Sequence, residues 1–399
     1  MQNAPLAENC ARTRQHPEVQ NIERPLTITL LFLRLGLTAF GGPAAHIAMM
    51  RHEFVTRRKW LSDRRFLDLL GVTNLIPGPN STEMAIHLGR ERAGWWGLVG
   101  AGVAFIAPAA VMVSALAWIY VEFGSTPAVT WVLYGVKPVV IAIVAHAIWG
   151  LGRVVVRRWQ TALVTAAVIA LGLLGVNELL LLFGGGAVGA LLQRPQWLTG
   201  RVSGVFLAPL ASVNLAAAAP ATFSLVGMGL LFLKIGAVLY GSGYVLLAFL
   251  RADFVERLGW LTETQLLDAV AIGQVTPGPV FTTATFIGFL LAGIPGAVVA
   301  TVAIFLPSFV FVAAIHPQVK RLRESNVTAP ILDAVNASAV GLMTVVTVFL
   351  GRSALVDVPT ILAAIAALAV LIFTKINSLW LILAGAGMGA IMRGLGLAT

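Results

Sequence analysis

The chain has 399 residues, of which 58% are hydrophobic and only 11% are charged. A soluble protein of this length needs more charge to cover its surface, so the composition predicts a polytopic membrane protein. The formal net charge is +10, but the basic residues cluster in short loops between apolar runs, which is typical of cytoplasmic loops and argues against nucleic acid as a partner. The single cysteine, Cys10, excludes a disulfide framework and a thiolate metal cluster.

The chain begins with a polar segment and continues as two long apolar halves. The tail, residues 1–26, carries charge without an apolar core, so we do not interpret it as a cleaved signal peptide. The halves are residues 27–193 and 221–399, and a linker at 194–220 joins them. Their apolar runs lack the two-residue alternation of barrel strands, and several reach the roughly 20 residues that cross a bilayer as a helix. We therefore predict an all-α membrane protein.

The two halves are repeats of one another. LFLRLG, starting at Leu31, lies over LFLKIG, starting at Leu231, and the match continues without a gap to a PGP motif at 77–79 over a second one at 277–279. Duplicated apolar halves with proline-glycine interruptions at equivalent places are typical of secondary transporters. Such paired interruptions are the best sequence indication of the binding site.

The charge of two equivalent loops differs between the repeats. The loop 51–65 contains six basic residues, whereas its counterpart 251–264 contains two among three acidic ones. The positive-inside rule then places the first loop in the cytoplasm and the second outside, which predicts inverted repeats. Inversion requires an odd number of crossings per half, which favours broken or re-entrant PGP segments and about ten crossings in all. Parallel repeats with twelve crossings are the alternative, and the sequence leaves open whether 27–50 crosses the bilayer or folds back.

The PGP motifs have the chemistry of an anion site. Prolines 77 and 79 do not fit inside a regular helix, and Gly78 permits a turn between them. We expect Asn80 or Ser81 to cap a new half-helix whose free N–H groups point into the break. A mere kink in a packed helix is the alternative. The predicted substrate-binding residues of the two motifs are Pro77, Gly78, Pro79, Asn80, Ser81, Thr82, Pro277, Gly278, Pro279, Thr282 and Thr283.

Two matched basic residues lie inside apolar segments, Arg34 in LLFLRLG and Lys234 in LLFLKIG. A cation at bilayer depth is costly unless it faces a cavity, a partner or an anion, so both are predicted to bind substrate. Snorkelling to the interface is the alternative. Glycines one to two turns later allow a second break that faces the PGP motifs, and they are Gly41, Gly42 and Gly241.

Glu83 and His87 lie one helical turn apart on one face, in the first repeat only. A carboxylate beside an imidazole near an anion site would suit proton relay or gating. A buried charge network that holds the half-helix in place is an equally good interpretation. One histidine and one glutamate fall short of the ligands of a zinc site, so no metal is predicted.

The motifs FLRLGLTAFGGPAAHIAMM and LLGVTNLIPGPNSTEMAIHLG, with FLKIGAVLYGSGYVLLAFL and VTPGPVFTTATFIG in the second half, resemble the chromate ion transporter family in its long, two-domain form. The resemblance implies export of chromate across the bacterial inner membrane by a multi-pass protein, chromate resistance, and sulfate as a competitor. It implies neither cofactor nor enzymatic activity. A carrier for sulfate or another oxyanion remains the alternative, followed by a channel or a non-transporting scaffold. The sequence also leaves a homodimer open.

Overall fold

The computed structural model describes residues 24–40, 42–74, 76–124, 126–193, 223–240, 243–318, 328–374 and 376–394. Most of the predicted tail and the whole linker lie outside these residues. In the described part, fourteen α-helices and no strands are present, as predicted. They are α1 (Pro25–Thr38), α2 (Gly42–Arg51), α3 (Asp63–Thr73), α4 (Asn80–Phe123), α5 (Pro127–Val155), α6 (Trp159–Leu173), α7 (Glu178–Gln193), α8 (Leu225–Val238), α9 (Leu246–Leu250), α10 (Glu263–Val275), α11 (Thr283–Ile315), α12 (Thr328–Ala354), α13 (Val358–Phe373) and α14 (Ser378–Gly394).

A π-helical turn occurs at the same place in each repeat, whereas the 3₁₀ turns among the described residues all lie in the second repeat. A π-helical turn follows α2 at His52–Arg57, and another follows α9 at Arg251–Arg257. Short 3₁₀ turns lie at Gly243–Val245, Val280–Thr282 and His316–Gln318. The repeats therefore share details of backbone conformation as well as the order of their helices.

Each repeat begins with a hairpin that enters the protein and turns back. Helix α1 has 14 residues and is about 21 Å long, which is short of the roughly 30 Å of hydrocarbon. The Phe32 ring stacks on Phe54 with 5.4 Å between centroids, and His46 Nε2 lies 2.9 Å from the carbonyl oxygen of Ala39 at the turn. The segment 27–50 thus folds back on itself and is not a full crossing.

The second hairpin contains the PGP motif at its tip. Its arms are α3 and residues 80–92 of α4, and Ser62 caps α3 by accepting from the Arg65 N–H. At the outer ends of the arms, Arg65 Nη2 lies 2.8 Å from Glu91 Oε2, and Arg92 donates to the carbonyl of Trp60. Because both outer ends meet while the inner ends meet at the motif, the hairpin is re-entrant. We call the end closed by Arg65 and Glu91 the first mouth.

Helix α4 then reverses direction. Ala93 and Gly94 have non-helical dihedral angles, with Gly94 at φ +61°. A Cβ on Gly97 would lie 2.1 Å from the carbonyl oxygen of Gly89, so residues 95–123 pack closely against the arm that precedes them. Helix α11 has the same reversal at Ala292 and Gly293. The segments 95–123 and 294–315 are therefore the long central helices of the two repeats.

The two central helices run antiparallel. His316 Nε2, at the end of 294–315, lies 3.3 Å from Glu91 at the first mouth. Conversely, Tyr120, near the end of 95–123, donates to Asp268 on α10 of the second repeat. Because equivalent helices point in opposite directions, the repeats are inverted, as the loop charges predicted.

The last hairpin of each repeat packs on the other repeat. Helices α6 and α7 pack on α12, whereas α13 and α14 pack on α5. Small residues permit this contact: a Cβ on Gly135 of α5 would lie 2.0 Å from the carbonyl oxygen of Gly385 on α14. The two repeats thus form one intertwined unit.

Four helices, among the described residues, are long and apolar enough to cross a membrane by length and composition. They include α4 and α11, whose outward faces expose residues such as Val111, Val298 and Val302. The hairpins of α6 with α7 and of α13 with α14 are apolar but shorter. The number of about ten crossings stays a prediction.

Candidate functional site

The PGP motif of each repeat touches the first hairpin of the other repeat. Gly78 has φ +138° and donates its N–H to the carbonyl of Leu239 at 2.7 Å. Gly278 has φ +108° and donates its N–H to the carbonyl of Ala39 at 2.9 Å. We call these two places the Gly78 corner and the Gly278 corner. The predicted interruptions of the two repeats therefore meet in reciprocal pairs inside the protein.

The central helices pass beside the corners. A Cβ on Gly78 would lie 2.5 Å from Ser308 Oγ and 2.1 Å from Glu83 Oε1. A Cβ on Gly278 would lie 2.6 Å from the Cβ of Ala109. Both corners thus need glycine for its conformation and for its small size. Polar side chains lie at both: Glu83 and Ser308 at the Gly78 corner, and His46, on the carbonyl oxygen of Ala39, at the Gly278 corner.

The start of α4 differs from the prediction. Neither Asn80 nor Ser81 caps the half-helix, because it begins directly at Asn80 with Pro79 in the cap position and without a side-chain cap. The Asn80 amide instead donates to Asn74 at 2.7 Å. The Thr82 N–H donates to the carbonyl of Pro79, so at least one of the N–H groups predicted to face the break is already bonded.

The hydroxyl groups behind the two motifs are not equivalent. Thr282 and Thr283 each donate to a backbone carbonyl three residues earlier, at 2.8 Å. In the first repeat, Ser81 and Thr82 are both buried. The Thr82 hydroxyl has no hydrogen-bond partner within the described residues, so it is available to a ligand that reaches the corner.

The two matched cations lie in different environments, and neither lies at a corner. Arg34 is exposed beside the outward-facing Leu30, Leu33 and Leu37 of α1. Lys234 Nζ lies 2.5 Å from the buried Asp253 on the π-helical turn of its own hairpin. The role of Arg34 and Lys234 in substrate binding stays a prediction. Because neither side chain lies at a corner, each would act on an anion there through its long-range electrostatic potential.

Lys234 faces a cavity of about 440 Å³ between the first hairpin of the second repeat, α7 and α12. Its lining combines three cations with three carboxylates, and these are Lys234, Arg251, Arg257, Glu178, Asp253 and Glu256. Because the charges balance, the cavity has no strong preference for an anion.

Glu83 and His87 are both fully buried, and they belong to a larger cluster. His87 Nδ1 lies 2.9 Å from Nδ1 of His316, and the two rings stack. His316 Nε2 in turn lies 3.3 Å from Glu91, and Glu91 forms an ion pair with Arg65. The sequence predicted Glu83 and His87 but not His316, since that residue is more than 200 positions away in the other repeat.

Sequence reasoning also missed the partners of the buried Asp268 carboxylate. Asp268 accepts from Tyr120 and lies 3.0 Å from Lys137. Ser308 at the Gly78 corner was also missed. The alignment of Pro307 with Pro108 could have indicated Ser308, because the residue after each of these prolines lies at a corner.

The remaining predicted residues are placed as follows. Gly42 begins α2 at φ +78°, while Gly41 and Gly241 lie outside the described residues. The flanking prolines of both motifs are buried or half-buried, and these are Pro77, Pro79, Pro277 and Pro279. In the described chain, no group of three or more potential metal ligands occurs.

Inverted repeats with re-entrant hairpins whose tips meet inside the protein are the architecture of a secondary transporter. A family model described as "Chromate transporter" matches residues 26–190 and again residues 226–390. The chain therefore belongs to the chromate transporter family, a family of multi-pass membrane transporters and not of enzymes. The resemblance of the motifs is thus confirmed over both repeats.

The chain is similar to curated relatives over most of its length. A "Chromate transport protein" of Cupriavidus metallidurans is 35% identical over 370 residues, which are 90% of this chain and 91% of the relative. One from Pseudomonas aeruginosa is 37% identical, over 83% of this chain and 82% of the relative. A "Probable chromate transport protein" of Synechococcus elongatus is 36% identical, over 86% and 88%. No solved structure matches the chain significantly.

Proposed function

We propose that this protein exports chromate across the bacterial inner membrane and thereby confers chromate resistance. The proposal rests on the family match over both repeats and on the names of the relatives, together with the reciprocal contacts of the two corners. Outward movement of an anion is favoured by the membrane potential, by about 2.3 kcal/mol per charge per 100 mV.

The mechanism we propose is alternating access around the corners. At each corner a glycine N–H donates to the other repeat. Separation of that contact on one side of the membrane would free the N–H for an oxyanion, while the opposite corner stays closed. The inverted arrangement supplies two equivalent contacts that can exchange roles as one repeat rocks against the other.

At the Gly78 corner, the Gly78 N–H and the hydroxyl groups of Thr82 and Ser308 would donate hydrogen bonds to the anion. These groups suit a tetrahedral oxyanion without a metal, because N–H and O–H donors at a helix start stabilise negative charge. Lys234 would add positive potential at this corner and Arg34 at the Gly278 corner, each from about 8 Å or more along its helix, because five residues separate Lys234 from Leu239 and Arg34 from Ala39.

Donors of this kind do not distinguish chromate from sulfate, which has the same shape and charge. A carrier for sulfate or another oxyanion is therefore the second candidate. Purified protein in vesicles, tested with labelled chromate and with sulfate, molybdate and phosphate as competitors, would separate the two. Saturable chromate flux supports our proposal, whereas flux of sulfate with exclusion of chromate would contradict it.

Variants of Arg34 and Lys234 test whether these matched cations act on the anion. Arg34→Ala and Lys234→Ala should both weaken chromate flux if their potential acts on the anion. Arg64→Ala removes an exposed cation at the start of α3 and serves as the control. Chromate flux equal to wild type in both variants would remove Arg34 and Lys234 from the proposed site.

A further inference from the structure

Ionisable side chains lie in a row from the first mouth to the Gly78 corner. Glu91 at the mouth lies 3.3 Å from His316 Nε2, and His316 Nδ1 lies 2.9 Å from His87 Nδ1. Glu83 follows one helical turn deeper on the face of His87, and its Oε1 lies beside Gly78. We call Glu91, His316, His87 and Glu83 the acid–imidazole column.

The contact between the histidines can form in two ways that differ by one proton. A contact between two Nδ1 atoms requires one N–H donor and one acceptor. In the first state His316 is doubly protonated, donates to both His87 and Glu91, and His87 keeps its proton on Nε2. In the second state both rings are neutral: His87 donates from Nδ1, and His316 donates to Glu91 from Nε2. Both states preserve every hydrogen bond of the pair.

Glu83 has no equivalent in the second repeat. Its carboxylate is fully buried, faces Ser308, and has no cation in hydrogen-bonding range among the described residues. The position equivalent to Glu83 is Thr283, whose hydroxyl bonds to the backbone, and the residue equivalent to Ser308 is Ala109. An ionised carboxylate without a partner is costly in such a place.

We propose that the acid–imidazole column carries protons between the first mouth and Glu83, and that Glu83 is protonated whenever an oxyanion occupies the Gly78 corner. The inference rests on the proposed oxyanion transport. A dianion beside an ionised carboxylate is strongly repelled at low dielectric constant, so anion binding and protonation favour each other reciprocally. Proton and anion therefore move across the membrane together.

The transfer changes only N–H and O–H bonds. His87 Nε2 and the Glu83 carboxylate have no hydrogen-bond partner among the described residues, so the transfer requires these two side chains to move into contact. His87 then gives its Nε2 proton to a carboxylate oxygen of Glu83, and the Nδ1 proton of His316 moves to Nδ1 of His87. The pair passes from the first state to the second, and Glu83 becomes neutral. Rotation of the rings then releases the Nδ1–Nδ1 contact, and the pair returns to the first state by a net gain of one proton from solution through His316, which is partly exposed. The other ionisable groups that face the column are Arg65 on α3 and Tyr240 in the break of the second repeat.

The test measures protons and anions together in vesicles that contain purified protein. An inward chromate gradient is applied at mildly alkaline pH, where chromate is a dianion, with the membrane potential clamped by potassium and valinomycin. Chromate entry and lumenal pH are recorded. We expect the wild-type lumen to acidify as chromate enters. In Glu83→Gln, the acidification per chromate should fall to the background of empty vesicles.

Further variants distinguish loss of proton transfer along the acid–imidazole column from misfolding of the protein. Glu83→Asp should restore the ratio of protons to anions, and His316→Gln, at the mouth, should slow acidification without removing the buried carboxylate. Glu122→Gln changes an exposed carboxylate at the end of α4 and should keep the wild-type ratio. Wild-type chromate entry without acidification, or an unchanged ratio in both Glu83→Gln and His316→Gln, would overturn the column. Absence of chromate entry in wild-type vesicles would instead overturn the proposed transport itself.

Discussion

The N–H of Gly78 in the first repeat donates to the carbonyl of Leu239 in the second at 2.7 Å. A reciprocal bond from Gly278 to Ala39 completes the pair. Each bond joins the PGP motif of one repeat to the turn of the first hairpin of the other repeat. Both interruptions of each repeat are therefore bonded to the other repeat. Any movement that opens one corner must therefore rearrange contacts between the repeats.

The Gly78 corner should not tolerate a side chain. Gly78→Ala would place a methyl group 2.1 Å from Glu83 Oε1 on a backbone at φ +138°. We expect a loss of about 1–3 kcal/mol in stability from overpacking and backbone strain, together with loss of chromate flux. Thermal unfolding in detergent measures the first and vesicle flux the second.

Gly71→Ala is the matched control, because a Cβ there meets nothing within 4 Å. It replaces a helical glycine in the same hairpin and should keep or raise the melting temperature. Equal melting temperatures for Gly78→Ala and wild type would show that the corner yields easily, contrary to the packing described above.

The ion pair at the first mouth should stabilise the re-entrant hairpin. Arg65 makes two hydrogen bonds to Glu91, both at 2.8 Å. Arg65→Ala should cost about 2 kcal/mol, since charged hydrogen bonds in partly buried places contribute on that order. Arg51→Ala removes a pair with Asp63 whose side chains are 51% and 55% exposed, and it should cost at most about 1 kcal/mol.

Hydrogen exchange of residues 63–92 locates the effect of the mouth variants. Faster exchange along both arms in Arg65→Ala, with wild-type exchange in Arg51→Ala, is the expected pattern. A uniform rise over the whole chain in Arg65→Ala would mean that the pair does not act on the hairpin.

Substitution of Asp253 should destabilise the protein more than substitution of its partner Lys234. Its carboxylate is buried and serves both Lys234, at 2.5 Å, and Arg257, at 2.8 Å. Asp253→Asn leaves two cations without their partner, whereas Lys234→Met leaves the carboxylate with Arg257. We therefore expect a lower melting temperature for Asp253→Asn than for Lys234→Met, and partial recovery in the double variant. Additive effects of the two single changes would argue against coupling.

Acid should weaken the contact between α5 and α13. Burial raises the pKa of Asp357, but hydrogen bonds from Tyr134 and from the N–H and hydroxyl of Thr360 outweigh it, and the net pKa lies below the ordinary value. A lowered carboxyl pKa stabilises the fold above the pKa of the unfolded chain, near about 3.9, and this contribution is lost as pH falls through the lower folded value. Asp357→Asn should flatten the acid limb of a melting-temperature profile, and a limb as steep as that of wild type would contradict the assignment.

Much of the fold followed from local pattern. The repeat, the helices and the re-entrant motif depend on proline, glycine and hydropathy, which act within a few residues. The opposite loop charges of 51–65 and 251–264 also predicted the inversion. The fold-back of 27–50 was left open because a glycine pair in an apolar run permits either a kink or a turn. The structure decides it through packing of Phe32 on Phe54.

The candidate site was harder to predict because its partners come from the other repeat. Lys234 and its counterpart Arg34 look alike in sequence, yet Lys234 pairs with the buried Asp253 whereas Arg34 is exposed. His316 joins His87 across 229 positions, and no local spacing indicates that contact. The predicted cap at Asn80 was wrong because Pro79 already takes the cap position.

The sidedness of the repeats is open to direct labelling. Arg64 and Thr264 are equivalent positions, and both are exposed at the start of their second hairpins. After Cys10→Ser, the variants Arg64→Cys and Thr264→Cys each carry one thiol. Because the repeats are inverted and the first loop is the basic one, we expect a membrane-impermeant reagent on intact cells to label Thr264→Cys only. In inside-out vesicles it should label Arg64→Cys only. Labelling of both variants from the same side would mean that the equivalent loops share one face of the membrane, which the antiparallel central helices do not allow.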